Sequence, residues 1–293
     1  MNSNFISICI PTMMIISYSL SGCLGSDEVS QSQEQIFGEL IIFNDDGAWS
    51  WFEDERAIIS DGKIIIGSVA SGVMDSNRTG DVEVVTYNLS TGIVELSELH
   101  NNLEYDDHNS PALLVRQDGR YIAVYSTHMG THPLSNTIHW RISVNPYDST
   151  SWGPELTFVP SNNSRVSYSN LYYLLDENTN QGRIYNFFRG LNNSYNPSIM
   201  VSDDMGNSWE TIGLLIQHSG HRPYVKYASD GSESIHFIFT EGHPRDYNNS
   251  IFHAYYRGGI VYSSNGSEIR QLEEGPIHIG EGATVFKGRM VDL

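Results

Sequence analysis

The sequence predicts an all-β fold, a β-propeller of four-stranded antiparallel blades, and three observations carry the prediction. Apolar hairpins recur with turn residues at Asp61-Gly62, Asp118-Gly119, Asn178 and Asp230-Gly231, and these markers (61→118→178→230) step by 57, 60 and 52 residues. More polar hairpins alternate with the apolar ones, so each period holds two hairpins, or four strands. One turn, Ser202-Asp203-Asp204-Met205-Gly206-Asn207-Ser208-Trp209, has the Asp-box pattern S-x-D-x-G-x-[S/T]-W. There the Asp is expected to accept backbone N–H groups, the Gly to take positive φ, and the Trp to pack between blades.

Taken in order, the apolar hairpins join residues 56–59 to 63–67, 111–115 to 121–125, 171–175 to 184–188, and 223–227 to 235–239. Asp-Gly is a strong hairpin signal because Gly tolerates positive φ at no steric cost. Residues 82–99, 138–158, 199–215 and 251–272 read as the polar hairpins that form outer edges. An entering strand is expected at 39–43, and the start of a further blade at 283–286. The count is therefore about four complete blades plus partial ones, over a propeller domain of residues 37–293; either an irregular five-bladed ring closes here or this is the front part of a longer propeller, and the second is favoured. A sandwich would not explain the regular alternation of apolar and polar hairpins.

Composition agrees. The 293 residues include 17 Tyr and 26 Gly, and only 17% are charged, too few for long charge-laced helices. The formal net charge of −19 argues against a nucleic-acid partner, whose phosphates it would repel. Cys9 and Cys23 are the only cysteines, so the folded body has neither a disulfide nor a thiolate metal site. His128 and His132 are placed in a loop rather than on a helix, and no metal or other cofactor is expected. No phosphate loop, dinucleotide fingerprint or nucleophile elbow is present.

An apolar run over residues 5–20 leads into Leu20-Ser21-Gly22-Cys23, which resembles the lipobox of bacterial and archaeal lipoproteins. Residues 1–23 are expected to be a signal peptide with Cys23 the lipidation site, and 24–36 a flexible tether. The protein is then expected to be extracytoplasmic, either a lipoprotein touching a membrane only through its lipid anchor or a secreted protein.

Cross-strand arithmetic locates a site, since residues equidistant from a hairpin turn face each other. A centre between Asp118 and Gly119 sets His128 opposite Asn109 and brings His108 and His128 together. A centre at residues 178–179 sets Arg189 opposite 168–169, next to Tyr168. A centre at Asp230-Gly231 sets His243 opposite 218–219, with His221 and Arg222 slightly further in. These strand ends are expected to ring one mouth of the propeller, with Asn109, His221, Arg222 and His243 binding substrate.

The segments Asp106-Asp107-His108-Asn109-Ser110-Pro111-Ala112, Ser167-Tyr168-Ser169-Asn170, Phe187-Phe188-Arg189-Gly190, Arg222-Pro223-Tyr224-Val225-Lys226-Tyr227 and Gly242-His243-Pro244-Arg245 resemble the BNR-repeat family that includes ulvan lyases. The resemblance implies a seven-bladed ring, of which this chain would carry the front part. It also implies β-elimination on a sulfated, uronic-acid-containing polysaccharide, the anionic partner expected here. His108, His128, Tyr168 and Arg189 match its catalytic residues. Tyr173 fits the spacing but falls mid-strand. Elimination needs a neutralised C6 carboxylate, a base for the C5 proton and an acid for the O4 leaving group. Arg189 offers a carboxylate fork, a His titrates near neutrality, and Tyr168 beside cationic groups is expected to have a lowered pKa. Two alternatives stand beside the lyase: a non-catalytic carbohydrate-binding propeller, and a sialidase-like glycoside hydrolase. The latter would carry Arg-Ile-Pro where this chain has Glu55-Arg56-Ala57-Ile58.

Overall fold

Runs of β-branched and aromatic residues between Gly-, Asn- and Asp-containing turns form the strands, as their preference for a pleated, half-buried surface requires. A computed structural model describes residues 40–50, 53–128, 130–160, 164–192 and 194–288. The expected signal peptide, the lipidation site Cys23, the tether and Glu39 lie outside the described residues.

The first antiparallel sheet holds β1 (Gly47–Ala48), β2 (Ala57–Ser60), β3 (Lys63–Ala70), β4 (Val82–Asn88) and β5 (Val94–His100). Its path runs β2-β3-β4-β5, with β1 sharing an edge of β3 with β2. Asp61 and Gly62 both take positive φ, 49° and 69°, which closes the β2–β3 hairpin with a twist that matches the strands. The second sheet is β6 (Ala112–Val115), β7 (Tyr121–Ser126), β8 (Ile138–Ile142) and β9 (Leu156–Phe158). The third is β10 (Val166–Leu174), β11 (Arg183–Gly190), β12 (Pro197–Ser202) and β13 (Glu210–Leu214), followed by the short β14 (Ile216–Gln217). The fourth is β15 (Val225–Ser229), β16 (Ser234–Phe239), β17 (Ile251–Arg257), β18 (Ile260–Ser263) and β19 (Glu268–Gln271). Then β20 (Ile277–His278) pairs in parallel with β14, and β21 (Ala283–Phe286) pairs antiparallel with β17.

Three expectations about these elements need correction. Residues 40–43 form no strand. The contact with β3 is made by β1 instead, because the Asp46 carboxylate accepts from the backbone N–H of Gly72 (2.9 Å) and Val73 (3.1 Å) and from the Ser71 hydroxyl. Residues 251–272 hold three strands rather than one hairpin. Gly258 and Gly259, both at positive φ, allow an extra reversal there. Residues 283–286 do not open a further sheet; they pair with residues 251–253 of β17, an interior strand of the fourth, in line with β18.

Three apolar cores form among the described residues, each between successive sheets. One packs Ile65, Val82, Val84 and Leu99 against Leu113, Tyr121 and Tyr125; the next packs Ile122, Val124 and Trp140 against Leu171, Ile184 and Trp209. The last packs Tyr185, Phe187 and Val201 against Ile235, Phe237 and Tyr256. The Asp-box closes the second of these. Asp204 accepts from the Ser208 backbone (2.8 Å) and hydroxyl (2.6 Å), and Trp209 meets Trp140 of the second sheet edge-on at 6.3 Å. Gly206, at φ +84°, presses so closely on Ile122 that a Cβ there would come 2.4 Å from Cδ1.

The segment before β2 ties the first strands of the sheets together. Arg56 donates to the Ser169 carbonyl at 2.7 Å and pairs with Glu53 at 3.0 Å, while Ser110 donates to Glu53 at 2.6 Å. Asp54 accepts from the Tyr172 hydroxyl at 2.9 Å and lies 3.6 Å from the Lys226 ammonium. Arg56 is buried and its guanidinium is spent on these partners.

Candidate active site

Asp106 ends an extended segment and caps the single 3-10 turn Asp107–Asn109, accepting from the His108 backbone N–H at 3.0 Å. The same carboxylate reaches two imidazoles. Its Oδ1 lies 2.5 Å from His108 Nδ1, and its Oδ2 lies 2.8 Å from His128 Nδ1. His128 follows β7, and its backbone N–H donates to Glu104 at 2.7 Å. The rings of His108 and His128 stack at 3.8 Å, 7° from parallel. Pinning both Nδ1 atoms on one carboxylate fixes the orientations of the two rings. The Nε2 of His128 lies 3.1 Å from the Tyr168 hydroxyl.

Tyr168 occupies a β-bulge in β10. Ser167 pairs with Arg189 and Asn170 with Phe187, leaving two residues between them out of register, and Tyr168 has φ +60°. A bulge re-aims a side chain, and a positive φ on an aromatic residue is a strained conformation found mainly at functional sites. Arg189, near the end of β11, sets its guanidinium carbon 4.7 Å from the Tyr168 ring centre and 4.5 Å from that of Tyr224. It also donates to the Pro223 carbonyl at 3.1 Å.

The four expected catalytic residues therefore lie together, but the pairings shift by one to three positions. The β6–β7 register, Ala112 with Val124, extends to set His108 rather than Asn109 opposite His128. Asn109 is fully buried and donates to Glu104 at 3.0 Å, so it supports the loop instead of facing a ligand. The β15–β16 register, Val225 with Phe239, extends to set His243 opposite His221 rather than residues 218–219. His221 sits 4.4 Å from His218, bonded to the Tyr247 hydroxyl; His243 meets Tyr224 edge-on at 5.3 Å.

A narrow cleft of about 60 Å³ opens in front of Tyr168, lined by His128, Tyr195, Arg165, Arg189 and Arg222 among others. His108 lines an adjoining depression with Tyr105, Asp106 and Asp107. Three arginines around one cleft make a local cationic field in a chain of net charge −19. Distant acidic charge is screened beyond about 8–10 Å at ordinary salt. Asp106, Glu104, Arg165 and Tyr195 carried no role in the sequence reading. The Asp-x-His capping spacing is a signal for Asp106; Arg165 lies in no hairpin and has none.

Burial penalises the charged form of Asp106, but the hydrogen bonds from His108 and His128 outweigh it and hold the carboxyl well below the usual range. Burial would lower His108, yet Asp106 and Asp107 reverse this and raise its pKa above the ordinary 6.5. Tyr168 differs from expectation. Burial pushes its phenol up, and the nearby Arg189 offsets only part of the rise, so the hydroxyl stays protonated through neutral pH.

The BNR repeat-containing family matches residues 69–289, and the chain belongs to it. No curated protein matches the chain by sequence. Among solved structures, a PL25 ulvan lyase bound to -[GlcA(1-4)Rha3S]- superposes with a TM-score of 0.62 at 16% identity, covering 84% of this chain, and its ligand-free form does the same. The chain spans about 61% of the length of that lyase. An endo-arabinase from Bacteroides thetaiotaomicron matches with a TM-score of 0.40 at 10% identity, covering 82% of this chain and 81% of its own. The likeness to the ulvan lyase shows a shared fold of propeller type.

Proposed function

We propose that the protein is an exported polysaccharide lyase that cleaves a uronic-acid-containing, ulvan-like polysaccharide by β-elimination. The observation that carries this reading is the convergence of the Asp106-anchored His128, the Tyr168 hydroxyl and Arg189 on one arginine-lined cleft, with His108 stacked on His128 beside it.

In this reading Arg189 holds the C6 carboxylate as a planar fork, neutralising it and stabilising the enolate that forms as the C5 proton leaves. His128 Nε2 takes that proton, with Asp106 stabilising the imidazolium. Tyr168, a neutral phenol in the resting site, gives its proton to O4 as the C4–O4 bond breaks. The 3.1 Å contact between His128 Nε2 and the Tyr168 oxygen then returns the proton from imidazolium to phenolate and resets the pair. Arg165 and Arg222 bind further anionic groups along the chain. The sialidase-like alternative loses its candidate arginine, since Arg56 is buried and bound elsewhere.

We further propose that the four sheets are blades of a larger, incomplete ring. Cores join each sheet to the next, whereas a cavity of about 720 Å³ lies between the segment leading into the first sheet and strand β15 of the fourth.

Incubation with ulvan tests the activity. Elimination yields new chain ends together with the ultraviolet absorbance of an unsaturated uronate. New ends without that absorbance would make the protein a hydrolase; retention on an ulvan column with neither would make it a binding module.

A further inference from the structure

A second cluster of two histidines and a carboxylate lies between the first and second sheets, away from the arginine-lined cleft. His139 on β8 pairs across strands with Tyr125 on β7 and Thr157 on β9. Glu155, two residues before Thr157, shares that face by the strand period of two. His100, the last residue of β5, enters from the first sheet.

Glu155 Oε1 lies 2.6 Å from His100 Nδ1 and 2.6 Å from the Tyr125 hydroxyl. His139 is 2% exposed, and neither of its ring nitrogens has a hydrogen-bond partner. Its Nδ1 is 3.4 Å from Glu155 Oε2, close but outside hydrogen-bond geometry. The neighbouring Arg141 gives its guanidinium to the carbonyls of Leu99 (2.7 Å) and Gly153 (2.8 Å). A buried imidazole with both nitrogens unpaired is costly unless something takes a lone pair.

We propose that His100, His139 and Glu155 bind a divalent transition-metal ion of the zinc class, which clamps the first sheet to the second. One donor atom from each of the three residues lies within 4.8 Å of the other two. Donors held about 2.0–2.1 Å from a tetrahedral ion sit roughly 3.4 Å apart, so small side-chain rotations close the site. Two imidazoles and one carboxylate suit zinc and not magnesium or calcium, which take oxygen donors. His100 and Glu155 are about one-fifth exposed, leaving a water or the Tyr125 hydroxyl to fill the fourth position. The ion would replace the proton shared by His100 and Glu155 and supply the partner His139 lacks. This inference is independent of the proposed lyase activity.

The test titrates zinc alone into chelator-treated, full-length protein, reading bound metal by equilibrium dialysis and elemental analysis, with cobalt absorption as a report on geometry. Wild type and Asp106→Asn are expected to bind one equivalent, with a raised melting temperature and a tetrahedral cobalt spectrum. Glu155→Gln and His139→Gln are expected to weaken binding at least tenfold. Glu155→Gln keeps the shape of the side chain, so it reads the site even if His139→Gln misfolds. Calcium should not compete. The proposal is overturned if wild type takes up no zinc, if Glu155→Gln binds as tightly as wild type, or if only Asp106→Asn loses the ion.

Discussion

The two His–His–carboxylate clusters use the same residue types and differ in what surrounds them. At Asp106 the carboxylate engages both Nδ1 atoms, the rings stack, and the Nε2 of His128 meets a tyrosine beside an arginine-lined cleft. At Glu155 the carboxylate engages one imidazole and a tyrosine, while the second imidazole is buried with no hydrogen bond. Each cluster has a tyrosine hydroxyl, but Tyr168 is bonded to a histidine nitrogen and Tyr125 to a carboxylate oxygen. The first arrangement can pass a proton. The second can hold an ion or a structural hydrogen bond. Residue type alone therefore does not assign chemistry; the partner of each polar atom does.

The sharpest way to break this comparison is to remove both hydroxyls and read turnover. Tyr168→Phe is expected to lower kcat on ulvan by about a hundred- to ten-thousand-fold, as loss of a general acid does, with the melting temperature nearly unchanged. Residual activity near wild type would take Tyr168 out of proton transfer.

Arg189→Lys comes next. The point charge of lysine cannot hold both oxygens of a uronate in one plane, and kcat is expected to fall by about a hundred- to a thousand-fold. Lysine keeps a cation between the Tyr168 and Tyr224 rings, so folding should change little beside the fall in kcat. A rise in KM at constant kcat would instead mean that Arg189 binds substrate and transition state equally.

The same contrast explains what the sequence could and could not reveal. The hairpins at Asp61-Gly62, Asp118-Gly119 and Asp230-Gly231 were legible because turn chemistry is local, and so was the Asp-box. The register was not. A bulge at Tyr168 and a longer reversal at residues 116–120 each move the pairing by one residue, and neither leaves a mark in the hydrophobic pattern. Asp106 is hard to read from sequence because a carboxylate beside a loop histidine resembles any solvated acid. His139 and Glu155 sit in a polar hairpin read as an outer edge, His100 falls just past another, and His100 and Glu155 are 55 positions apart, so no short spacing exposes them. The strand expected at 39–43 failed because an apolar run needs a partner edge, and Asp46 delivers β1 to that edge instead.

Asp106→Asn sharpens the comparison through its pH dependence. Asp106 is held below its ordinary value of 3.8, so its bonds contribute fully above that pH and are lost as the pH falls through the lowered value. His108 is raised above its ordinary 6.5, so its contribution is complete below that pH and is lost as the pH rises through the raised value. The stability gap between wild type and Asp106→Asn is therefore expected to be widest between about pH 3.8 and 6.5 and to narrow on either side. Hydrogen bonds to a charged group contribute about 1.5–3 kcal/mol, a shift of several degrees in melting temperature for a domain this size. A gap that does not vary with pH would mean that the carboxylate is not charged against the imidazoles.

Tyr125→Phe has the smallest expected effect and tests the other half of the comparison. Tyr125 is buried between the first and second sheets, and burial followed by the Glu155 carboxylate pushes its phenol up, so it acts as a hydrogen-bond donor at every working pH. Phenylalanine keeps the ring, its packing on Leu113 and its stacking on His139, and removes only the hydroxyl. The loss is one hydrogen bond, a net cost of about 0.5–1.5 kcal/mol, hence a drop of about 1–6 °C in melting temperature. No ulvan-facing group is touched, so kcat and KM are expected to match wild type. Zinc raises the melting temperature in proportion to the logarithm of its concentration over Kd, and this rise should persist, because the two imidazoles and Glu155 remain. Turnover that fell with Tyr125→Phe as far as with Tyr168→Phe would show that the two clusters are coupled across the second sheet, and that the division between a proton-passing site and a structural one is wrong.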